Sequence, residues 1–349
     1  MRAARWQALR TVVVEDIDDP VAAEGDVLLE VEHCGICGSD LHSYEHGFVV
    51  KPGQVLGHEV SGRVVAAPGV AGIAVGDLAT LRPLIPCMQC PSCLRGDVQV
   101  CEAGMSGNIG YGLHGGFAQR VLIPKAVAGF NVFPLPDGVG PRAAALVEPL
   151  AVSLHAVRIA DPAPGDVAVV FGGGTIGLGT VRFLALAGVE QIVLVEPSAH
   201  RRAAGKVQGA TTLVDPMADD VVAAIQAITG PGAAGHGARA DVVIDCAGVQ
   251  ASIGGALEIL RPLGTLVLCA IFGKRVEIRP DYIVGKELRV RGSLGYRDEF
   301  PDAIAALVAG DVDPESLISH EFGLEDIEDA FQASLDREAS LKVLVTPPR

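Results

Sequence analysis

The sequence predicts an α/β protein with two domains, one rich in β-strands and one built on a doubly wound parallel sheet. The chain has 349 residues, which exceeds the usual size of a single domain. Short alternating or apolar runs, separated by Gly, Pro and Asp, fill residues 1–140 and indicate strands. From residue 166 onward, apolar runs alternate with longer helical patterns, which is typical of a parallel sheet covered on both faces.

The elements of the first domain follow this pattern in order. Strands are predicted in TVVVEDI, DVLLEVEHC, VSGRVVAA, DLATLR and FAQRVLIP. Residues 141–160 then change to helical periodicity, with Pro141 suited to a first turn and Pro149 to a kink or junction. We place the first domain at residues 1–150.

The second domain is predicted over residues 151–293. Its strands are VAVVF, QIVLVE, DVVIDCAG, GTLVLCAIFG and ELRVRGSLGY, and helices are predicted in TIGLGTVRFLALAG, DDVVAAIQAITG and VQASIGGALEIL. Cys246 and Cys269 lie in two of the apolar runs and are predicted core residues. Residues 294–349 carry two amphipathic helical patterns and a last strand, LKVLVTP, and we expect them to complete the first domain.

Charge and composition exclude several classes of function. The chain has 27 basic and 42 acidic residues, and the net charge of −15 opposes binding to nucleic acid or anionic lipid. No apolar run reaches the roughly 18–20 residues that cross a bilayer. The N-terminal segment turns acidic before a signal-like apolar stretch forms. We therefore expect a soluble, cytoplasmic protein of small-molecule chemistry, with neither nucleic acid nor membrane as a partner.

Four of the eight cysteines lie close together in CMQCPSCLRGDVQVC. A disulfide framework fits poorly, because the chain is large and shows no signal segment. Redox-active CxxC pairs do not explain four cysteines in one loop rich in Pro and Gly. Four thiolates at short spacing bind one tetrahedral ion with Zn–S bonds of roughly 2.3 Å. We predict a structural zinc held by Cys87, Cys90, Cys93 and Cys101.

A separate CGIC motif contains Cys34 and Cys37. A buried, inert pair and a thioredoxin-like redox pair are the alternatives. The redox motif opens a helix in a βαβ unit, whereas here DVLLEVEHC indicates a strand before the motif and GSD a turn after it. We predict that Cys37 is a metal ligand and that Cys34 is a small buried residue.

The segment VAVVFGGGTIGLG has GxGxxG spacing between a predicted strand and a predicted helix. Gly172 permits the tight turn, Gly174 lets the backbone approach a pyrophosphate, and Gly177 allows close helix–strand packing. The helix N-terminus, at Thr175 and Ile176, would face the phosphate charge. A glycine-rich turn without a ligand is the alternative.

Glu196 ends the next predicted strand and bears on the choice of dinucleotide. Its carboxylate can accept hydrogen bonds from the adenosine ribose and would repel a 2′-phosphate, which predicts NAD rather than NADP. Arg201 and Arg202 keep NADP open, because an arginine can bind a phosphate, although each is more often a solvated charge on a helix face. We include Arg201 among the candidate cofactor-binding residues.

A second group of metal-binding residue types is spread along the chain. They lie in HCGICGSDLH, GHE and EPLAV, and they are Cys37, Ser39, His42, His58, Glu59 and Glu148. Each residue alone is ordinary, but thiolate, imidazole and carboxylate together form the mixed donor set of a catalytic zinc with one open position. Such a zinc polarises an alcohol oxygen and lowers its pKa.

CGICGSDLH, GHE, the four-cysteine loop, EPLAV and GGGTIGLG occur in that order over essentially the whole chain. In this the sequence resembles the zinc-dependent medium-chain dehydrogenase/reductase superfamily, the alcohol and polyol dehydrogenases. The resemblance implies a GroES-like catalytic domain, a Rossmann coenzyme domain and a C-terminal segment that returns to the catalytic domain. EPLAV is similar to sorbitol and butanediol dehydrogenases, and MRAARW and GYRDEFP are similar to bacterial (R,R)-butanediol dehydrogenases.

By that resemblance, the ligands of the catalytic zinc are Cys37, His58 and Glu148. Glu59 would be a nearby carboxylate that shifts onto the metal or holds a water. With the structural zinc, two zinc ions per chain are expected. The resemblance also implies assembly as a homodimer or homotetramer through the coenzyme domains, for which GTLVLCAIFG is the candidate edge.

The resemblance further implies a proton relay. Ser39 would receive the substrate proton and pass it through the cofactor ribose toward His42, while hydride leaves the alcohol carbon for the nicotinamide. Lys342, in LKVLV, is expected to approach either the cofactor phosphates or Glu59.

The leading hypothesis is an NAD-dependent oxidoreductase that acts on a secondary alcohol. We expect 2,3-butanediol and acetoin as substrates, and sorbitol-like polyols and L-threonine are the alternatives. A hypothesis of another class is a nucleotide-binding protein that kept the fold and lost the chemistry. The filled set of ligand and relay positions argues against it.

Overall fold

The computed structural model describes residues 1–230 and 239–348. The chain divides into two compact units, of which the first is Met1–Glu148 with Arg297–Arg349 and the second is Pro149–Tyr296. The predicted α/β class, with a β-rich part and a doubly wound sheet, is confirmed. The predicted ranges 151–293 and 294–349 include residues 231–238 and Arg349, which lie outside the described residues.

The first unit is rich in strands up to residue 148. Its strands are β1 (Arg2–Ala8), β2 (Thr11–Asp16), β3 (Val27–Gly35), β4 (Gln54–Val55), β5 (Glu59–Ala66), β6 (Leu78–Leu81), β7 (Arg120–Ile123) and β8 (Val132–Pro134). Its helices are α1 (Gly38–His46), α2 (Pro91–Leu94) and α3 (Pro141–Ala144), with short 3-10 helices at Val98–Val100 and Gly104–Gly107. Helix α4 (Val147–Ala160) follows and is not broken at Pro149, which lies in its first turn, but the division between the two units falls between Glu148 and Pro149.

Helix α1 replaces a predicted turn. Cys37 is its N-cap residue, and Asp40 reaches back to the backbone N–H of Cys37 as in a capping box. Gly47, with a φ of 69°, ends the helix in the left-handed conformation that favours glycine. The prediction of a turn at GSD is therefore wrong. Strand β3, which precedes the helix, pairs antiparallel with its neighbours, so the motif does not lie in a βαβ unit.

The second unit contains one parallel sheet and its helices. In order they are β9 (Val167–Phe171), α5 (Thr175–Leu186), β10 (Gln191–Val195), α6 (Ala199–Gln208), β11 (Thr212–Val214), α7 (Val221–Thr229), β12 (Ala240–Asp245), α8 (Gln250–Ile259), β13 (Leu260–Leu268), α9 (Pro280–Gly285) and β14 (Arg289–Gly292). The strand order is β11-β10-β9-β12-β13-β14, and every pairing is parallel. The order reverses at β9, and doubly wound sheets bind ligands outside the carboxyl ends of the strands at such a point.

Two predictions about the inner strands of this sheet are wrong. Strand β13 lies between β12 and β14, so GTLVLCAIFG is part of an inner strand and not an edge. Cys269 follows the strand and is half-buried, as is Cys246 after β12, so neither cysteine is a core residue. The buried core of this unit is made by aliphatic residues such as Val169, Val243 and Leu266.

The C-terminal segment belongs to the first unit. It contains α10 (Phe300–Val308), β15 (Ile318–Gly323), α11 (Ile327–Leu335) and β16 (Lys342–Thr346), with 3-10 helices at Pro314–Ser316 and Leu324–Asp326. Strand β16 pairs with β3 within a seven-stranded sheet of order β15-β16-β3-β5-β6-β8, in which β7 also pairs with β3. A three-stranded sheet, β2-β1-β4, completes the unit. No helix in residues 1–230 or 239–348 is both long and apolar enough to cross a bilayer.

Candidate active site

Asp40 connects the two segments that carry Cys37 and His58. Its buried carboxylate accepts hydrogen bonds from the backbone N–H of Cys37 (3.0 Å) and of Gly57 (3.2 Å). Asp40 Oδ1 also lies 3.6 Å from His58 Nδ1, a buried atom without a hydrogen-bond partner among the described residues. A metal-bound imidazole usually directs its second nitrogen to a carboxylate. Asp40 therefore leaves Nε2 of His58 as the nitrogen available to a metal.

The turn before His58 requires glycine at position 57. Gly57 has a φ of 88°, and a Cβ there would lie 2.7 Å from Cys34 Sγ and 2.9 Å from the ring of Phe117. Cys34 is fully buried against this turn, as predicted. Burial raises the pKa of the Cys34 thiol, so the group stays protonated and packs as a small apolar residue.

Two hydroxyl groups lie beside Nε2 of His58. Ser39 Oγ and Tyr111 Oη are each 3.5 Å from this nitrogen and 2.7 Å from one another. The Tyr111 ring stacks on the imidazole with a centroid distance of 4.9 Å. Burial raises the pKa of Tyr111, so its hydroxyl keeps the proton and can donate it in a hydrogen bond to Ser39.

Lys342 and Glu59 form a buried ion pair. Lys342 Nζ lies 2.6 Å from Glu59 Oε1 and 2.5 Å from Oε2, and it donates to the carbonyl of Ile36 at 2.9 Å. Both side chains are 3% exposed or less. Gly35, opposite Glu59 in the β3–β5 register, makes room for the carboxylate, because a Cβ there would lie 2.0 Å from Glu59 Oε2. Lys342 was expected near either the cofactor phosphates or Glu59, and in the structure it binds Glu59.

Glu148 is buried in the first turn of α4. Burial opposes the charge of Lys342, but the charges of Glu59, Cys37 and Glu148 outweigh it and raise the lysine pKa. The ligand atoms of Cys37, His58, Glu59 and Glu148 do not form a group within 4.8 Å, a distance that only the four-cysteine group meets in the described part of the chain. Because Glu59 is bound to Lys342, Cys37, His58 and Glu148 stay the predicted donors for a zinc ion, although their ligand atoms are farther apart here than those of the four cysteines.

His42 and Ser39 occupy one face of helix α1, three positions apart. The imidazole of His42 packs near His46 and Phe48, with ring centroids 5.9 and 6.5 Å away. Burial, helped by the neighbouring His46, lowers the pKa of His42, so the ring is neutral near pH 7 and can accept a proton.

The four cysteines of the loop form one compact group. The Sγ atoms of Cys87, Cys90, Cys93 and Cys101 all lie within 4.8 Å of one another, and those of Cys87 and Cys93 are 4.0 Å apart. Four sulfurs at roughly 2.3 Å from one tetrahedral ion are about 3.8 Å apart. The group therefore needs only a small contraction to bind zinc.

Backbone N–H groups direct their protons at these sulfurs. Cys87 N donates to Cys101 Sγ at 3.3 Å, and Cys90 N donates to Cys87 Sγ at 3.4 Å. The N–H groups of Glu102 and Cys93 lower the pKa of Cys90 to about 6. Since the thiolate is the form that binds metal, this loop fits a zinc ion.

The glycine-rich turn restricts two of its positions to glycine and leaves space at a third. Gly172 has a φ of 95°, and a Cβ on Gly177 would lie 1.8 Å from the carbonyl oxygen of Gly172, so neither position admits a side chain. A Cβ on Gly174 would meet no atom within 4 Å, which leaves open space above the backbone there. Gly174 is the N-cap residue of α5, and Thr175 and Ile176 follow in its first turn. This space fits a pyrophosphate at a helix N-terminus.

Glu196 bridges the glycine-rich turn and the start of α6. Its Oε2 accepts from Gly173 N at 2.6 Å and its Oε1 from Ser198 N at 2.9 Å. A Cβ on Gly173 would lie 3.2 Å from both Glu196 Oε2 and the Cβ of Arg201, so the two predicted residues meet at this turn. Arg202, by contrast, forms an ion pair with Asp215 at 3.0 Å. A 2′-phosphate at this turn would meet a buried carboxylate.

Sequence reasoning missed two residues of this site and located a third loosely. Asp40 and Tyr111 had no assigned role, and Lys342 had two. The acidic residue three positions after Cys37 was a usable capping signal. Nothing local marks Tyr111, because its partners are 72 and 53 positions away.

Two family models match the chain. One, described as zinc-binding dehydrogenase, matches residues 175–309. The other, described as alcohol dehydrogenase GroES-like domain, matches residues 23–137. The second match includes the four-cysteine loop and the segment from Cys37 to Glu59, and the first begins at Thr175, within the glycine-rich turn.

Individual proteins match over nearly the full length. The (R,R)-butanediol dehydrogenase of Bacillus subtilis (strain 168) is 35% identical over 99% of this chain and 100% of its own. D-xylulose reductase A of Aspergillus oryzae is 33% identical, over 93% of this chain and 91% of its own. A structure from Sinorhizobium meliloti 1021, solved with NADP bound, has a TM-score of 0.88 at 35% identity over 99% of both chains.

Proposed function

The chain belongs to the zinc-dependent medium-chain dehydrogenase/reductase family, oxidoreductases that act on CH–OH groups, and from this we propose its substrate, cofactor and catalytic residues. The proposed reaction is reversible hydride transfer between a secondary alcohol and NAD. The proposed substrate is a vicinal diol of the 2,3-butanediol type, with acetoin as the ketone. The first unit is the catalytic unit in this proposal, and the second binds the dinucleotide.

The observation that carries the proposal is the arrangement around His58. Asp40 fixes the backbone at Cys37 and at Gly57 and faces His58 Nδ1, while the hydroxyls of Ser39 and Tyr111 lie on the Nε2 side. A metal-binding nitrogen and a proton-accepting hydroxyl are thus adjacent, which suits the removal of a proton from an alcohol.

The proposed zinc ligands are Cys37, His58 and Glu148. When bound, zinc would supply the polarisation that lowers an alcohol pKa, and the nicotinamide would supply the hydride acceptor. Glu59 is proposed as a carboxylate that acts close to the metal, and its pairing with Lys342 holds it in place. The four-cysteine loop is proposed to bind a second, structural zinc.

The proposed proton path uses residues of helix α1. Ser39 accepts the alcohol proton, and its hydroxyl is oriented by the 2.7 Å contact with Tyr111. His42, kept neutral by its lowered pKa, is the final acceptor of the proton. When bound, the cofactor would supply ribose hydroxyls for proton transfer.

NAD is the proposed dinucleotide because of Glu196. Its carboxylate is buried at the glycine-rich turn, where a 2′-phosphate would be repelled. The proposed cofactor-binding residues are Gly172, Gly174, Thr175, Ile176, Gly177, Glu196 and Arg201. The NADP in the Sinorhizobium meliloti structure supports the alternative, and Arg201 is the residue through which a phosphate would bind.

The substrate proposal rests on the similarity to butanediol dehydrogenase. A second relative favours a different substrate. D-xylulose reductase A is nearly as similar, which supports a longer polyol as the alternative substrate. L-Threonine remains in the test panel. A homodimer or homotetramer is proposed for the assembly, and light scattering on the purified protein distinguishes them.

The test follows nicotinamide absorbance with protein of measured zinc content. The panel holds the 2,3-butanediol stereoisomers, sorbitol, xylitol, L-threonine and a simple secondary alcohol, each with NAD and with NADP. Preference for one butanediol isomer with NAD supports the whole proposal. A higher kcat/KM for a polyol than for 2,3-butanediol would mean that the polyol is the substrate and would leave the proposed mechanism unchanged. Lack of turnover on every alcohol, from protein with two zinc ions per chain, contradicts it.

A further inference from the structure

Two cysteines outside both proposed metal sites lie next to each other in the second unit. Cys246 and Cys269 directly follow strands β12 and β13, which are parallel neighbours with Asp245 opposite Leu268. Their Sγ atoms are 3.2 Å apart, and Cys269 N donates to the carbonyl of Asp245 at 3.1 Å. Neighbouring strands are about 4.8 Å apart, within the Cα separations that disulfides span. The pair can therefore form a bond with little change in the backbone.

Neither of the two cysteines is fully buried. Cys246 and Cys269 are half-buried, unlike the fully buried Cys34. The hydrogen bond to Cys246 and burial raise the pKa of Cys269, whose Sγ also donates to the carbonyl of Asp245 at 3.2 Å. Because the Sγ of Cys269 is held by the carbonyl of Asp245, we take Cys246 as the sulfur that reacts first.

The pair lies against the glycine-rich turn. Cys246 N donates to the carbonyl of Phe171 at 2.9 Å, and a Cβ on Gly177 would be 3.6 Å from the Cβ of Cys246. The next residue, Ala247, is packed so closely on Gly172 that a Cβ there would lie 3.1 Å from its backbone nitrogen. Cys246 and Ala247 thus form one side of the turn, and Cys246 is hydrogen bonded to Phe171, the residue before the first glycine.

We propose that Cys246 and Cys269 form a reversible disulfide when a hydroperoxide oxidises them, and that this disulfide weakens dinucleotide binding. The second part rests on the proposed dinucleotide site. Closing the sulfur separation to about 2.05 Å draws Cys246 toward β13 by up to about 1.2 Å. Because β12 lies between β9 and β13, this displacement draws Cys246 away from Phe171, its hydrogen-bond partner at the end of β9, and with it the segment that lies against the turn that would bind the pyrophosphate.

The chemistry is a two-electron oxidation of two thiols. The thiolate of Cys246 attacks the hydroperoxide, the O–O bond breaks, and a sulfenic acid and an alcohol (water, for hydrogen peroxide) are formed. The sulfur of Cys269 then attacks the sulfenic sulfur, the S–S bond forms, and water leaves with the thiol proton. The balance is two thiols and one hydroperoxide giving one disulfide, one alcohol and one water. A dithiol reductant reverses it by thiol–disulfide exchange.

The test uses the zinc-loaded full chain and limited hydrogen peroxide, at a level that releases no zinc to a chromogenic indicator. Differential alkylation and peptide mapping identify the cross-link, and NADH fluorescence gives the dissociation constant. We expect a Cys246–Cys269 peptide and a roughly tenfold weaker binding of NADH, both reversed by dithiothreitol. Bound NAD should slow the cross-link, because it covers the turn.

Cys246→Ser and Cys269→Ser are the matched controls. Each should bind NADH as the reduced wild type does and should keep that affinity after peroxide. A cross-link that never forms overturns the proposal, as does an equal loss of affinity in either variant. If the reduced wild type binds neither NADH nor NADPH, the proposed dinucleotide site fails, and with it the effect on binding. In that case peptide mapping still shows whether the disulfide between Cys246 and Cys269 forms.

Discussion

The hydroxyl of Tyr111 is 2.7 Å from Oγ of Ser39, and each oxygen is 3.5 Å from His58 Nε2. Tyr111 comes from the loop that precedes β7, whereas Ser39 lies in helix α1. Because Ser39 is buried and Tyr111 is half-buried beside it, the tyrosine restricts the directions in which the serine can donate and accept. The proton-accepting group of the proposed mechanism is thus oriented by a residue distant in sequence.

Replacing Tyr111 by Phe should lower kcat for alcohol oxidation about tenfold with a smaller change in KM. The reason is that Ser39 loses its orientation, while the whole acid–base contribution is of order 10²–10⁴-fold. In a Ser39→Ala background the same replacement should have little further effect, because the two groups act together. Steady-state kinetics of the four proteins measure this, and additive losses would contradict it.

The pH dependence should report on His42. Burial and the adjacent His46 lower its pKa, so alcohol oxidation should fall as the pH drops through a value below 6.5, where His42 becomes protonated and cannot accept a proton. His42→Gln should remove this inflection from the profile of kcat. His46→Gln should shift it to higher pH, since a positive neighbour is lost. Unchanged profiles in both variants would exclude His42 from the relay.

Breaking the ion pair of Lys342 and Glu59 should destabilise the protein strongly. Lys342→Met leaves a buried carboxylate without a partner, a change that typically costs about 3–5 kcal/mol of unfolding free energy. The double variant Lys342→Met/Glu59→Gln should recover much of the loss, because no buried charge remains. Urea unfolding measures both values. Arg279→Met, which removes an exposed partner of Asp281, is the control and should leave stability unchanged within error.

Loss of one sulfur should release the proposed structural zinc. Cys90→Ser should reduce the metal content by about one zinc ion per chain and lower the Tm, since metal binding stabilises the loop. Elemental analysis and thermal unfolding measure the two effects. Cys246→Ser, a cysteine of the other unit, is the control and should change neither. An unchanged zinc content in the Cys90→Ser variant would show that Cys90 does not bind zinc.

The charge of Glu196 should set the choice between the two dinucleotides. Glu196→Gln removes the charge and keeps an acceptor oxygen, so the ratio of Kd for NADPH to Kd for NADH should fall about tenfold. The exposed Glu190, replaced by Gln, is the matched control. The NAD assignment would be lost if the wild type already bound both dinucleotides equally well.

The chemistry-bearing motifs were readable from sequence where their residues are close together. The four cysteines span fifteen positions and form the group that their spacing predicts, and the glycine-rich turn has the predicted strand and helix around it. Local spacing is sufficient in these cases because one loop or one strand–helix unit carries the whole site.

Contacts between distant segments could not be predicted in the same way. Ile36 and Lys342 are 306 positions apart, and the cross-strand pairing of β3 and β16 is what brings them together. The neighbouring cysteines at 246 and 269 were predicted as core because apolar runs do not reveal where a strand ends. The helix that begins after Cys37 was missed for a related reason. Its N-terminus is capped by the hydrogen bond from the backbone N–H of Cys37 to Asp40, and the sequence does not show that this bond forms.

The discontinuous first unit has a consequence for how the protein is made. Pro149–Tyr296 is one continuous stretch, whereas the first unit is completed only by Arg297–Arg349. At about 5–20 residues per second, the ribosome needs on the order of tens of seconds between Ile36 and the lysine that binds its carbonyl. During that interval the edge of β3 that β16 will cover stays open. A chaperone that shields exposed strand edges on nascent chains is therefore expected to act on the N-terminal half of this protein.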